Sequence, residues 1–217
     1  MELWLIRHGE STWNAERRFQ GGRDVPLSAF GRAQAAALAE RLRPLAFAAL
    51  YTSPLGRARE TAEVCAAALG LVPAVVDDLR EMGLGAWEGL TLEDARQTVG
   101  EAYRRWAAAP LDHPAPGAER LDLFAARVGR AARALAARHP TGRVLVVSHG
   151  GAIASLLCDA LGVSLNALWR FRLENGSITR LVLAPPRVLA VNDTAHLAGL
   201  GNGNGHRDAW PEAGTAP

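Results

Sequence analysis

Apolar residues fall along this chain in two rhythms. Short unbroken runs at Leu3 to Ile6, Phe47 to Thr52, Val72 to Val76, Arg143 to Ser148 and Ile178 to Leu183 have the length of strands. Val188 to Val191 adds a last short one. Between them the spacing shifts to that of helices, with Ala35, Leu38, Ala39 and Leu42 on one face and Leu121, Phe124, Val128, Ala131 and Leu135 on another. Ser28 reads as the N-cap of the first, Ser53-Pro54 as cap and first-turn proline of a helix closed by Gly70, and Thr91 with Asp94 as a capping box opening a helical region toward Trp106. A further apolar helix follows His149-Gly150-Gly151 and ends near Gly162. Two stretches lack either rhythm. Ser11 to Leu27 reads as a long ordered loop, and Leu79 to Gly89 as a glycine-rich loop presenting acids.

Strands alternating with helices predict an α/β fold in three layers, a mostly parallel central sheet flanked by helices. Residues 1–198 read as one domain, and the Gly/Asn-rich stretch 199–217 as a disordered tail. Ligands of such sheets sit beyond the carboxyl ends of the strands. Arg7-His8-Gly9 and His149-Gly150-Gly151 each follow a strand directly, so two distant histidines are expected at one edge. Arg57 and Arg59 lie in the first turns of the helix after another strand. Cations there oppose the helix dipole unless an anion binds nearby, which points to phosphate or carboxylate.

Composition narrows the chemistry. With 217 residues, 49% of them hydrophobic, the chain can bury a full core, and a formal charge of +2 is too small for a nucleic-acid or membrane-surface protein. All 24 basic residues are arginine, which removes lysine Schiff-base and P-loop chemistry and leaves bidentate phosphate recognition. Cys65 and Cys158, in Ala/Leu-rich helical settings, read as structural. The charged N-terminal run does not look like a signal peptide, so a cytoplasmic location is expected. Among the aromatic residues, Trp87, Tyr103 and Trp106 read as packing residues rather than as the lining of an entrance.

Two histidines, two arginines and an acid fit phosphoryl transfer to and from a phosphomonoester. Arg7 and Arg57 would clamp the phosphoryl oxygens, and His8 would attack as a neutral imidazole. His149 would donate to oxygens that gather charge, and Glu81 would protonate the leaving alkoxide. A serine hydrolase would need a Gly-x-Ser-x-Gly elbow, and none surrounds Ser148. A metallophosphatase would need a carboxylate-rich motif that the sequence lacks.

The segments LIRHGESTWN at Leu5 to Asn14, RFQGGRDVPLSAFGRAQA at Arg18 to Ala35, YTSPLGRARETAE at Tyr51 to Glu63, LREMGLGAWEGLT at Leu79 to Thr91 and VVSHGGAI at Val146 to Ile153 resemble the histidine phosphatase superfamily, which includes the phosphoglycerate mutases. That resemblance implies the phosphoglycerate mutase-like fold, phosphorylation of His8, phosphoryl binding by Arg7, Arg57 and His149, and proton donation by Glu81. It adds Asn14, Gln20, Gly21 and Gly150 as substrate contacts. It implies no metal and no cofactor, a small-molecule phosphomonoester as partner rather than nucleic acid or membrane, and a homodimer. The GAWEGLT segment and the short span from Glu81 to His149 resemble the phosphatase branch. Arg104-Arg105 could hold a substrate carboxylate as in the mutases, so a cofactor-dependent phosphoglycerate mutase is the alternative, and an inactive phospho-ligand binding module is the alternative of another class. Pro116-Gly117-Ala118-Glu119-Arg120 departs from the Pro-Gly-Gly-Glu-Ser of the phosphatases at two positions. Asn192, Asp193 and His196 lie outside the matched motifs, and His196 reads as structural.

Overall fold

A computed structural model describes residues 1–201; the expected disordered tail falls almost wholly beyond them. In chain order the elements are β1 (Glu2–Arg7), α1 (Thr12–Ala15), α2 (Ala29–Leu42), β2 (Ala49–Thr52), α3 (Gly56–Leu69), β3 (Pro73–Val75) and α4 (Leu92–Thr98). There follow α5 (Gly100–Ala108), α6 (Leu121–Arg138), β4 (Arg143–Ser148), α7 (Gly150–Leu161), β5 (Ile178–Leu183) and β6 (Pro186–Asp193). The strands form one sheet in the order β3-β2-β4-β1-β5-β6. The β3–β2, β2–β4 and β4–β1 pairings are parallel, and β5 and β6 join antiparallel as a terminal hairpin.

β1 lies inside the sheet, so both of its faces are covered and it reads as a continuous apolar run. Leu3 and Leu5 pack with Val144 and Val146 under α6 and α7, while Trp4 and Ile6 pack with Leu145 and Val147 under α2 and α3. These are the two cores of a three-layer structure. Pairing of β1 with β4 in register, Arg7 opposite Ser148, brings the two strand ends side by side. Arg7-His8 and His149-Gly150 therefore leave the sheet at the same edge. No helix among the described residues is long and apolar enough to cross a membrane.

Four local readings are corrected. The Ser11 to Leu27 loop contains a helical turn, α1, in which Ser11 and Asn14 form a reciprocal capping box that four residues of weak periodicity do not announce. The region after Thr91 is two helices, broken where Val99 leaves helical geometry at φ −128°. The glycine-rich loop carries a 3-10 turn at Gly85–Trp87. α3 begins at Gly56 rather than at Pro54, and Ser53 does not cap it: Leu55 occupies the cap position without a side-chain bond, and Asp24 Oδ1 accepts the Gly56 N–H at 2.6 Å. The Ser53 hydroxyl accepts the Leu55 N–H at 3.3 Å, just ahead of the helix.

Trp87, Tyr103 and Trp106 are buried and meet one another and Phe19 at ring-centroid distances of 5.3 to 6.3 Å, a packed aromatic cluster as expected. Cys65 and Cys158 are free and buried, and burial pushes their thiols up to about 12 and about 11, which suits inert packing roles. Asn192, in left-handed geometry at φ +56°, accepts the Glu174 N–H, and His196 Nε2 meets Gly176 O at 3.1 Å. Both pin the turn that carries Asn175.

Candidate active site

A cleft opens at the carboxyl edge of the sheet, lined by Arg7, His8, Asn14, Arg18, Phe19, Gln20, Gly21, Arg57, Glu81, Met82, Leu84, Gly150 and Trp169. Every sequence-predicted site residue except His149 is among them. His8 is buried at its floor. Its Nδ1 lies 2.7 Å from Gly9 O, an acceptor only, so that nitrogen carries the proton and Nε2 keeps its lone pair. Arg57 Nε donates to that lone pair at 3.2 Å. Burial, and then the charges of Arg57 and Arg7, hold the imidazole well below its usual pKa, so His8 is neutral at pH 7.

Arg57 is itself buried and fixed by main-chain acceptors, with one terminal nitrogen on Arg23 O at 2.6 Å and the other on Gly21 O at 3.0 Å. Gly21 reaches that position at φ +52°, where a Cβ would also run into Glu88 Oε1. Burial pulls the Arg57 guanidinium down to about 10, leaving it a cation at neutral pH. Arg7, which lines the same cleft, donates to Leu173 O. Arg59, which the sequence pairs with Arg57, is exposed, because the α3 face two residues on points to solvent.

Glu81 comes from the segment after β3. Its Oε1 accepts the Met82 N–H at 2.9 Å and its Oε2 accepts the Gly151 N–H at 3.0 Å, so the carboxyl rests on the first turn of α7. Burial raises its pKa above the ordinary carboxyl value, while those two amides and the two arginines pull the other way. A buried carboxyl with a raised pKa suits proton donation.

His149 stands behind the lining. It is 0% exposed, its ring meets that of His8 edge-on at 5.1 Å, and its Nε2 lies 2.7 Å from Ser53 Oγ. The Ser53 hydroxyl thus links His149 to the entrance of α3. His149 Nδ1 is buried with no hydrogen-bond partner among the described residues, and burial followed by the Arg57 charge keeps the ring neutral. A buried polar nitrogen without a partner is costly unless a ligand supplies one.

Asn14 and Gln20 close the rim: Ser11 Oγ lies 2.7 Å from Gln20 Oε1, and Asn14 Oδ1 accepts from Ser11 N at 3.1 Å and from Asn175 Nδ2 at 3.2 Å. Asn175 also donates to His8 O at 3.0 Å, fixing the strand end that carries the imidazole. Sequence reasoning missed the place of Asn175, Ser53 and Trp169 in the site: Ser53 carries only a cap signature, and the other two have no local signal of a site role. Arg104 and Arg105, weighed as a carboxylate clamp, instead lie on the exposed face of α5, each ion-paired to Glu101, and neither lines the cleft. Their i,i+3 and i,i+4 spacing to that glutamate explains the placement.

The model of the histidine phosphatase superfamily (branch 1) matches residues 3–194. A probable phosphoglycerate mutase GpmB of Salmonella choleraesuis is 36% identical over 200 residues, 92% of this chain and 93% of that protein. Among solved structures, YhfR of Bacillus stearothermophilus superposes with a TM-score of 0.84 at 36% identity, covering 90% of this chain and 98% of that one. A mycobacterial glucosyl-3-phosphoglycerate phosphatase complexed with VO3 gives 0.83 at 30% identity, covering 89% and 99%.

Proposed function

Because the chain belongs to the histidine phosphatase superfamily, branch 1, we propose that it is a metal-independent phosphatase that hydrolyses a small-molecule phosphomonoester through a phosphohistidine on His8. The observation that carries this reading is the neutral His8 Nε2, its lone pair aimed at a guanidinium in a cleft that also holds a buried carboxyl with a raised pKa. The phosphoryl group would enter between Arg7 and Arg57. Arg57 Nε–H would then leave Nε2 for a phosphoryl oxygen and free the lone pair for attack. As the N–P bond forms and the ester P–O bond breaks, the Glu81 proton passes to the departing alkoxide. Water then attacks phosphorus, gives its proton to the Glu81 carboxylate, and the N–P bond breaks. The unpaired His149 Nδ1 is the ring atom left to meet charge on the phosphoryl group, with Ser53 donating to Nε2.

The similarity to a mycobacterial phosphatase supports hydrolysis, and the outward placement of Arg104 and Arg105 removes the pair that would have argued for a mutase. Mutase activity is the second reading, favoured by the similarity to the Salmonella protein. A screen over sugar phosphates, nucleotides, phosphoglycerates and α-ribazole phosphate, with mutase turnover measured alongside, tests both. Phosphate release is expected from at least one ester and is expected to persist in excess chelator, since guanidinium groups provide the positive charge at the site. Loss of activity on chelation would overturn the metal-independent mechanism.

The directions of the two pKa shifts set the pH profile. His8 must be deprotonated and Glu81 protonated, so kcat/KM rises as His8 loses its proton well below 6.5 and falls as Glu81 loses its own above 4.5. A profile that rises on the acid limb and falls on the alkaline limb is expected, and Glu81→Gln should remove the alkaline fall. An identical alkaline limb in that variant would exclude Glu81 as the acid.

A further inference from the structure

The departure at Ala118 and Arg120 leaves Glu119 in place, and Glu119 belongs to a device that sequence reading does not reveal. Arg127, in the second turn of α6, is buried rather than solvated. Its Nε donates to Glu119 Oε1 at 2.7 Å, and one terminal nitrogen donates to Asp78 O and Arg80 O, both at 2.8 Å. The other donates to Glu81 O at 3.2 Å and Glu119 Oε2 at 2.8 Å. All five guanidinium N–H groups are used. Three of the five acceptors are main-chain carbonyls of residues 78 to 81, the segment that carries the candidate acid.

Glu119 is anchored to the same loop from the far side: its backbone N–H donates to Gly83 O at 2.9 Å, and Ser148 Oγ donates to Leu79 O at 2.8 Å from the end of β4. The Glu81 backbone is thus gripped from α6, from the 116–120 turn and from the sheet. Burying a guanidinium is costly, and an apolar side chain would fill this position between helix and loop at less cost if filling were all that was needed. A planar fork with five fixed donors offers directional control that a hydrophobe lacks.

We propose that Arg127, braced by Glu119, is a positioning residue that sets the Glu81 carboxyl for proton transfer to the leaving group. The inference rests on the hydrolase reading above, in which Glu81 is the acid. Its signature is a dependence on the leaving group. An alkyl phosphate needs its alkoxide protonated, whereas p-nitrophenolate departs without help, so a misplaced acid slows phosphoryl transfer to His8 from the first alone, and kcat/KM reports that step free of the later attack by water.

The experiment measures kcat and KM for an alkyl phosphate that the protein cleaves and for p-nitrophenyl phosphate in the parent protein, Arg127→Ala, Glu119→Gln, Glu81→Gln and the Arg127→Ala/Glu81→Gln double variant. Expected is a loss in kcat/KM of about 10²-fold on the alkyl ester in Arg127→Ala, a smaller loss of the same kind in Glu119→Gln, and kcat/KM for p-nitrophenyl phosphate within about threefold of the parent in both. The double variant should be no slower than Glu81→Gln. Glu119→Gln keeps the volume and sits at the rim of the pair, so it decides the matter if Arg127→Ala does not fold. Equal losses in kcat/KM on both esters, or no loss on the alkyl ester, in a folded variant would overturn the positioning role. Glu81→Gln showing no leaving-group dependence would overturn the reading beneath it instead.

Discussion

Replacing His8 with alanine is expected to abolish phosphate release, with kcat reduced by about 10⁵-fold or more, the scale on which nucleophile removal acts in other hydrolases. The expectation follows from one nitrogen. Gly9 O takes the Nδ1 proton, leaving Nε2 as the one basic atom on the floor of a cleft whose other nearby groups, Arg7 and Arg57, are cations without lone pairs to offer. The chain without the imidazole should still fold, because Arg57 retains its bonds to Arg23 O and Gly21 O and the backbone of residue 8 keeps its bonds to Ser148 O and from Asn175 Nδ2, which do not involve the ring. A stability loss of about 1–3 kcal/mol, from the vacated space and the unmade bonds, is expected by chemical denaturation. In the parent protein, mixing with substrate and quenching in base should trap phosphate that is stable in alkali and released by acid, the behaviour of an N–P bond. The same label should be absent from His8→Ala. Turnover undiminished in the variant would end the phosphohistidine mechanism, and a label that survived the substitution would move it to another residue.

How much of this was legible beforehand differs by element. Strand ends are readable because an apolar run that stops abruptly in Arg7-His8-Gly9 or Ser148-His149-Gly150 can only be delivering polar groups to an edge, and the parallel pairing of β1 with β4 does the rest. Ser53 differs from its cap signature for a physical reason: its hydroxyl meets His149 Nε2 and accepts the Leu55 N–H, one residue ahead of α3, while Asp24, 32 residues upstream of Gly56, accepts the first N–H of the helix itself. Arg127 shows the opposite failure. It lies three residues after Phe124 on the buried stripe of α6, so the helical period did place it inward, yet an arginine is assigned to solvent unless acceptors are known. Those acceptors are carbonyls of a loop 46 to 49 residues away. Asn175 and Trp169 depend on the same kind of long-range closure, through the segment that joins α7 to β5.

Gly151→Ala is expected to remove most activity on alkyl phosphates while leaving the fold nearly intact. In the first turn of a helix, alanine in place of glycine ordinarily stabilises by about 0.4–1 kcal/mol, since it restricts the unfolded chain and needs no unusual backbone. Here a Cβ would lie 2.5 Å from Glu81 Oε1 and 3.2 Å from its Cδ, a distance that cannot be held. The obstacle is the end of a side chain rather than backbone, so the helix can keep its course and Glu81 must move. Moving it breaks the Gly151 N–H bond to Oε2 and displaces the acid from the leaving group. A loss of about 10²-fold or more in kcat on an alkyl ester is expected, against a change in stability within about 1 kcal/mol either way, the helix gain offsetting part of the lost bond. The double variant Gly151→Ala/Glu81→Ala separates the causes, because deleting the carboxyl removes the clash. It should be no slower than Glu81→Ala and at least as stable, a coupling that residues acting independently would not give. Activity on alkyl esters retained in Gly151→Ala would mean that the acid works from somewhere other than the α7 N-terminus. Additive losses in the double variant would mean that Gly151 serves the reaction by another route.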